Sequence, residues 1–143
     1  MNIQDNYLTL ADGQQMPQEG FGLYKVDGKD TMTAAIQHAF EDGYRLFDTA
    51  QLYGNEAEVG TALKQLALPR DEIFVTTKVA EENQGYNRAI ASVKESLQKL
   101  QLDYVDLLLV HWPIERSFFE TWRAFEDMKK EGLTKSIGVS NFE

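Results

Sequence analysis

The chain has 143 residues, 14 of them basic and 23 acidic, for a formal net charge of −9; 43% are hydrophobic, 26% are charged and none is cysteine. Such a length suits one globular unit that buries roughly 68–70% of its unfolded surface, and an aromatic content of 11% argues against disorder. The acidic balance excludes an ordinary phosphate-backbone binder, which needs a basic face, and the lack of cysteine excludes a disulfide frame, a thiolate metal site and a thiolate nucleophile.

No run approaches the roughly 18 apolar residues of a membrane-spanning helix. The segment Met1 to Tyr7 is polar and carries no apolar signal core. A reducing, cytoplasmic setting is expected. The chain opens with Tyr7-Leu8-Thr9-Leu10, then Asp12-Gly13, then Gln14-Gln15-Met16, which predicts a β-hairpin. Gly20 to Tyr24 reads as a first sheet strand. Thr31 to Asp42 reads as a helix, because Met32, Ala35, Ile36, Ala39 and Phe40 recur at helical spacing. Asp30 is its expected cap and Gly43 its stop. Arg45-Leu46-Phe47 predicts a second strand, ending at Asp48. A helix over 55–66 follows, with Asn55 and Glu58 spaced as a capping box. Ile73 to Thr77 predicts a third strand, ending at Lys78, and 87–100 a third helix. Val105 to Val110 is a fourth strand ending at His111, and its unalternating Leu107-Leu108-Leu109-Val110 run suits a parallel strand buried on both faces. Ser117 and Glu120 form a second expected capping box. The helix they open carries Phe118, Trp122 and Phe125 and closes at Gly132. Lys135 to Val139 is a fifth strand, ending at Ser140-Asn141.

The steady strand–helix alternation predicts right-handed βαβ crossovers and an α/β fold with a parallel sheet. No linker or second domain is visible across 1–143. In such architectures chemistry gathers at the C-terminal ends of the strands. Asp48, Lys78, His111 and Ser140-Asn141 all fall there, and Tyr53 lies in the loop after Asp48. Each residue alone has a plainer reading. Asp48 could cap its loop, Lys78 could lie along the surface with its head in water, and His111 could be structural. Their convergence on one rim favours chemistry.

Metal hydrolysis is disfavoured: no paired-histidine ligand spacing exists, and the other histidine, His38, lies within a helix. No metal is expected. No Gly-x-Ser-x-Gly elbow occurs. Gly20-x-Gly22 hints at a dinucleotide fingerprint, but Lys25 stands where the third glycine belongs. What remains is a phenol, an ammonium, a carboxylate and an imidazole. An ammonium beside a phenol stabilises the phenolate, and the carboxylate holds the ammonium charged and oriented. Such a phenol can hand a proton to a carbonyl oxygen while the imidazole hydrogen-bonds the same oxygen. No side chain can supply a hydride, so a cofactor would have to.

At this point the sequence resembles the aldo-keto reductases. Gly43-Tyr44-Arg45-Leu46-Phe47-Asp48-Thr49-Ala50-Gln51-Leu52-Tyr53-Gly54-Asn55-Glu56 is similar to that family's first signature. Leu107-Leu108-Leu109-Val110-His111-Trp112-Pro113 resembles its strand with the active-site histidine. Ser136-Ile137-Gly138-Val139-Ser140-Asn141-Phe142 resembles its fifth-strand signature, and Thr76-Thr77-Lys78 matches the lysine position. Within the family the chain is most similar to the bacterial diketogluconate-reductase-like enzymes.

The resemblance implies parallel βα units of a TIM barrel and NADPH-dependent reduction of small aldehydes or ketones. Tyr53 would be the general acid, Asp48 and Lys78 would support it electrostatically, and His111 would orient the carbonyl. Gly22, Leu23, Asp48, Ser140 and Asn141 would meet the cofactor. Tyr24, Tyr53, His111 and Trp112 would meet the substrate, the plainer reading of Tyr24 and Trp112 being packing under the loops. Glu19 and Ala80 depart from the family pattern, and Ala80 replaces a common tryptophan, which would open the pocket. The larger departure is length. A complete eight-stranded barrel takes about 250 residues, and the family's adenosine-phosphate site has no counterpart here. Five strands cannot close a barrel. Phe21, Phe47, Val75 and Leu107 are expected to face inward without an opposite wall, inviting self-association or a complementing half-barrel. The alternatives to a reductase are a non-catalytic binding or regulatory module and an inactive fragment.

Overall fold

The computed structural model describes residues 7–17, 19–26 and 28–140. A short antiparallel hairpin, β1 (Tyr7–Thr9) and β2 (Gln15–Pro17), precedes five strands: β3 (Gly20–Gly22), β4 (Leu46–Asp48), β5 (Phe74–Val79), β6 (Val105–Val110) and β7 (Thr134–Val139). These five form one parallel sheet in chain order, with β3 and β7 as its outer strands. The crossovers are α1 (Lys29–Glu41), α2 (Glu56–Leu66), α3 (Tyr86–Leu100) and α4 (Phe118–Lys130). The α/β class and the parallel order agree with the sequence pattern. The third of these strands, β5, runs one residue past the expected end at Lys78, to Val79.

The helices bury their apolar stripes on one face of the sheet. Met32 and Ile36 of α1, Val59 and Leu63 of α2, Val93 and Leu97 of α3 and Phe125 and Met128 of α4 meet Phe47, Val75, Leu108 and Val110 there. Gly60 lets α2 approach α3. A Cβ at that position would lie 2.2 Å from the Lys99 carbonyl oxygen, so any side chain would push the helices apart.

The expected inward set needs correction. Phe47 and Val75 face the helices, and Phe21 packs against the same core. Strand residues alternate between faces, so the concave face carries Leu46 and Phe74 instead; Leu107 lies on it as expected, with Leu109 beside it. Leu10 and Met16 of the hairpin segment cover part of this face. The hairpin is tied at the N-terminal end of the sheet, where Asp12 accepts from Ser136 Oγ at 2.6 Å and Lys129 Nζ at 3.0 Å. Those bonds and the Gln14 N–H lower the Asp12 pKa to about 2. Between the hairpin and Asp48 a groove of about 300 Å³ remains, lined by Gly20, Gly22, Leu46, Thr76, Leu107 and Leu109.

The helix starts differ from their sequence signals. Helix α1 begins at Lys29 after Gly28, so Asp30 lies in the first turn and caps nothing. Neither Asn55 nor Ser117 makes a side-chain cap bond. Asn55 is drawn into tertiary bonds described below, and the Ser117 carbonyl accepts from Thr121 Oγ1. No helix among the described residues is long and apolar enough to cross a membrane.

Candidate active site

The site lies at the C-terminal ends of the parallel strands. Asp48 ends β4, Lys78 sits near the end of β5, and His111 directly follows β6. Strand alternation aims Asp48 and Lys78 at the concave side, in register with Gly22 and Leu109. Tyr53 ends a single 3-10 turn, Gln51–Tyr53, that closes on Gly54 in the left-handed region (φ 70°). This turn folds the ring back over β5.

Lys78 Nζ donates to the Tyr53 hydroxyl at 3.0 Å and lies 3.1 and 3.2 Å from the two Asp48 carboxylate oxygens. Lys78 is 7% exposed, so it is not a surface lysine. Desolvation works against its charge, yet the bonds to Tyr53 and Asp48 outweigh that cost and raise its pKa. The ammonium is therefore permanent at neutral pH. His111 stands edge-on to the Tyr53 ring, with centroids 6.0 Å apart and planes at 83°. Burial, and then the Lys78 charge, lower the His111 pKa and favour the neutral imidazole.

Aromatic walls flank this core. Tyr24 leans on Tyr53 at 4.9 Å between centroids, and Trp112 lies nearly parallel to His111 at 6.2 Å. Tyr24 is 61% and Trp112 46% exposed, so neither is simply packed under a loop. Beside them opens a cleft of about 560 Å³ lined by Leu52, Ala80, Glu81, Glu82, His111, Trp112 and Ile114. Glu81 and Glu82 belong to no motif that marks them in the sequence.

Not every expected residue joins the cluster. The Leu23 side chain is buried in the helix-side core, and only its backbone reaches the rim, where its N–H donates to the Asp48 carbonyl at 3.0 Å. Ser140 sits beyond β7, with its N–H donating to the Val110 carbonyl at 2.8 Å. Asn141 lies outside the described residues. Among the described residues no group of three or more His, Asp or Glu is arranged to hold a metal ion.

Two features suit a flat, polar cofactor ring against the concave face. A Cβ at Gly22 would meet nothing within 4 Å, so the surface beside Asp48 is open and smooth. The Thr76 hydroxyl is buried on the same face with no hydrogen-bond partner among the described residues.

Residues 20–143 match the model of the aldo/keto reductase family. The chain is 44% identical over 136 residues to glyoxal reductase of Bacillus subtilis, covering 95% of this chain and 49% of that protein. It is 46% identical over 138 residues to methylglyoxal reductase DkgA of Escherichia coli K12, again covering 95% and 49%. The crystal structure of an aldo/keto reductase from Brucella melitensis superposes with a TM-score of 0.90 at 45% identity, covering 96% of this chain and 54% of that one. The Bombyx mori aldo-keto reductase in complex with NADP superposes with a TM-score of 0.85 at 36% identity, covering 95% and 50%. The chain thus spans about half the length of the curated relatives it matches, and its parallel βα units are those of a TIM barrel. By family model, relatives and fold alike, it belongs to the aldo/keto reductase family.

Proposed function

We propose that this chain carries the proton-donating half of an NADPH-dependent carbonyl reductase acting on small aldehydes or ketones. The observation that supports this best is the Tyr53 hydroxyl held 3.0 Å from a buried ammonium that is itself ion-paired to Asp48. Relatives named for glyoxal and methylglyoxal favour small dicarbonyls as substrates. The cleft is of ordinary small-molecule size, on the order of 300–1,000 Å³.

When bound, NADPH supplies the hydride that reduces the carbonyl carbon. Gly22, the Leu23 backbone, Asp48, Ser140 and Asn141 would hold its nicotinamide end. The protein's own residues handle the oxygen. His111, as the neutral imidazole, donates a hydrogen bond to the carbonyl oxygen and fixes its direction. Tyr53 gives that oxygen its proton as the alcohol forms. The phenolate left behind faces the Lys78 ammonium, which lowers the cost of the transfer. Asp48 keeps the ammonium in place. Tyr24 and Trp112 sandwich the substrate and shed water from it. A cytoplasmic, NADPH-rich setting suits this chemistry.

The concave face also favours association. Leu46, Leu107 and Leu109 line an open groove between two outer strands, so a second copy or a complementing half-barrel would cover apolar surface and strand edges together. Two measurements test the reading. Titration of the chain with NADPH, followed by cofactor fluorescence, is expected to show saturable binding. Light scattering at micromolar concentration is expected to show more than a monomer. A chain that ignores NADPH at high concentration would be a non-catalytic module, and a clean monomer would remove the association.

A further inference from the structure

Directly behind the tetrad of Asp48, Tyr53, Lys78 and His111 lies a second polar cluster. Asn55 and Glu56, at the start of α2, are only 1% and 5% exposed. The Asn55 amide donates to the carbonyls of Leu23 at 2.8 Å and Val26 at 3.1 Å, and its oxygen accepts from Thr49 Oγ1 at 2.8 Å. Glu56 accepts from Thr77 Oγ1 at 2.6 Å and Ser96 Oγ at 2.9 Å. Gln51 extends the cluster by donating to Ser96 Oγ and accepting from the Ala80 N–H at 2.9 Å.

The pattern of attachment is informative. Thr49 adjoins Asp48, Thr77 adjoins Lys78, and Leu23 adjoins Tyr24. Two neighbouring side chains thus grip three successive βα segments, each one residue away from a group in the site. On a strand, adjacent residues point to opposite faces. Holding Thr77 from the helix side therefore sets where Lys78 points on the concave side. A buried carboxylate is costly, and burial raises the Glu56 pKa despite its two hydroxyl donors. An apolar residue would fill this helix face at less cost if packing alone were required.

We infer that Asn55 and Glu56 are positioning residues, a buried clamp that holds Tyr24, Asp48 and Lys78 in reacting geometry from behind. This rests on the tetrad reading above, but its test needs neither cofactor nor turnover. The chain has two histidines, and His38 is exposed on α1, so proton NMR resolves the His111 titration cleanly. His111 senses Lys78, Asp48 and Glu81. If Lys78 drifts away, the His111 midpoint rises, as it should in Lys78→Met. Removing the Glu56 charge alone, with geometry kept, would move it the other way.

Thr77→Val keeps the shape and leaves the Glu56 carboxyl in place but deletes one clamp bond, and Asn55→Ala deletes three. Both are expected to raise the His111 midpoint toward that of Lys78→Met while His38 stays put. Glu56→Ala should do the same, and Glu56→Gln, which can still accept from Thr77, should not. Val93→Ala, a buried α3 position outside the clamp, is the control for general loosening and should leave His111 unmoved. A folded Thr77→Val chain with the wild-type His111 midpoint would overturn the inference. So would an equal shift in Val93→Ala.

Discussion

Asp106 offers a sharp test of how the strand pair beneath the site is held. It is buried at the start of β6, and its Oδ2 accepts from the Val75 N–H at 2.8 Å and lies 2.7 Å from Arg70 Nη2. Asp106→Ala orphans the Val75 N–H and removes the ion-pair partner of Arg70. Removing one partner of a buried ion pair costs about 3–5 kcal/mol. The cost here falls toward the lower end, because Arg70 keeps the carbonyls of Ile73 at 3.0 Å and Tyr104 at 2.9 Å and its side chain is 23% exposed. The orphaned Val75 N–H sets a floor of about 1–3 kcal/mol. The expected loss is about 3 kcal/mol, a large share of the roughly 5–15 kcal/mol that holds a domain together. Urea unfolding followed by Trp112 and Trp122 fluorescence, with circular dichroism as a second probe, measures it. The midpoint should fall with the slope unchanged, and the melting temperature should drop by about 6–12 °C. Asp106→Asn, which keeps an acceptor for Val75, should lose clearly less. A midpoint shift in Asp106→Ala worth under about 0.5 kcal/mol would refute this account of the pair.

Two further predictions concern the frame. Gly60→Ala gains about 1 kcal/mol of helix propensity but places a Cβ 2.2 Å from a backbone carbonyl. Overpacking of about 1–3 kcal/mol should win, so the variant should unfold at lower urea than wild type; a more stable variant would contradict the close helix approach. The hairpin should respond to acid. The depressed Asp12 pKa contributes stability that is fully present above about pH 4 and is lost as pH falls toward about 2. Exposure to solvent keeps that contribution small. Asp12→Asn should therefore be less stable than wild type at pH 6, with the gap narrowing below about pH 4 and closing as pH falls through about 2. A constant gap would count against the Ser136 and Lys129 attachments.

Much of this arrangement was legible in the sequence, and the reasons are physical. The strand–helix alternation is written in where apolar runs stop and helical periodicity starts, and the site follows because Asp48, Lys78 and His111 stand where those runs end. Facing was less legible. A parallel strand buried on both sides has no polar alternation to mark its inner face, so the apolar pattern does not separate Phe47 and Val75 from the concave-facing Leu46 and Phe74. Capping signals misled for a different reason. Asn55 has the composition of a cap, but its amide meets the Leu23 and Val26 carbonyls, which are distant in sequence. Helices α2 and α3 end on Ala67 and Gln101 in the left-handed region, where no glycine announces the stop. A signal for the clamp did exist. Glu56 shares a helix face with Val59, Gly60 and Leu63, and a carboxylate on an otherwise apolar stripe asks for a buried partner.

Proton delivery by Tyr53 in a carbonyl reduction is tested most directly by aldehyde-dependent NADPH oxidation in the wild-type chain and in Tyr53→Phe, with cofactor binding checked in both by fluorescence. Turnover is expected in the wild type, and a loss of about 10²–10⁴-fold in the variant with NADPH binding largely kept. Equal rates in the two proteins would contradict proton delivery by Tyr53.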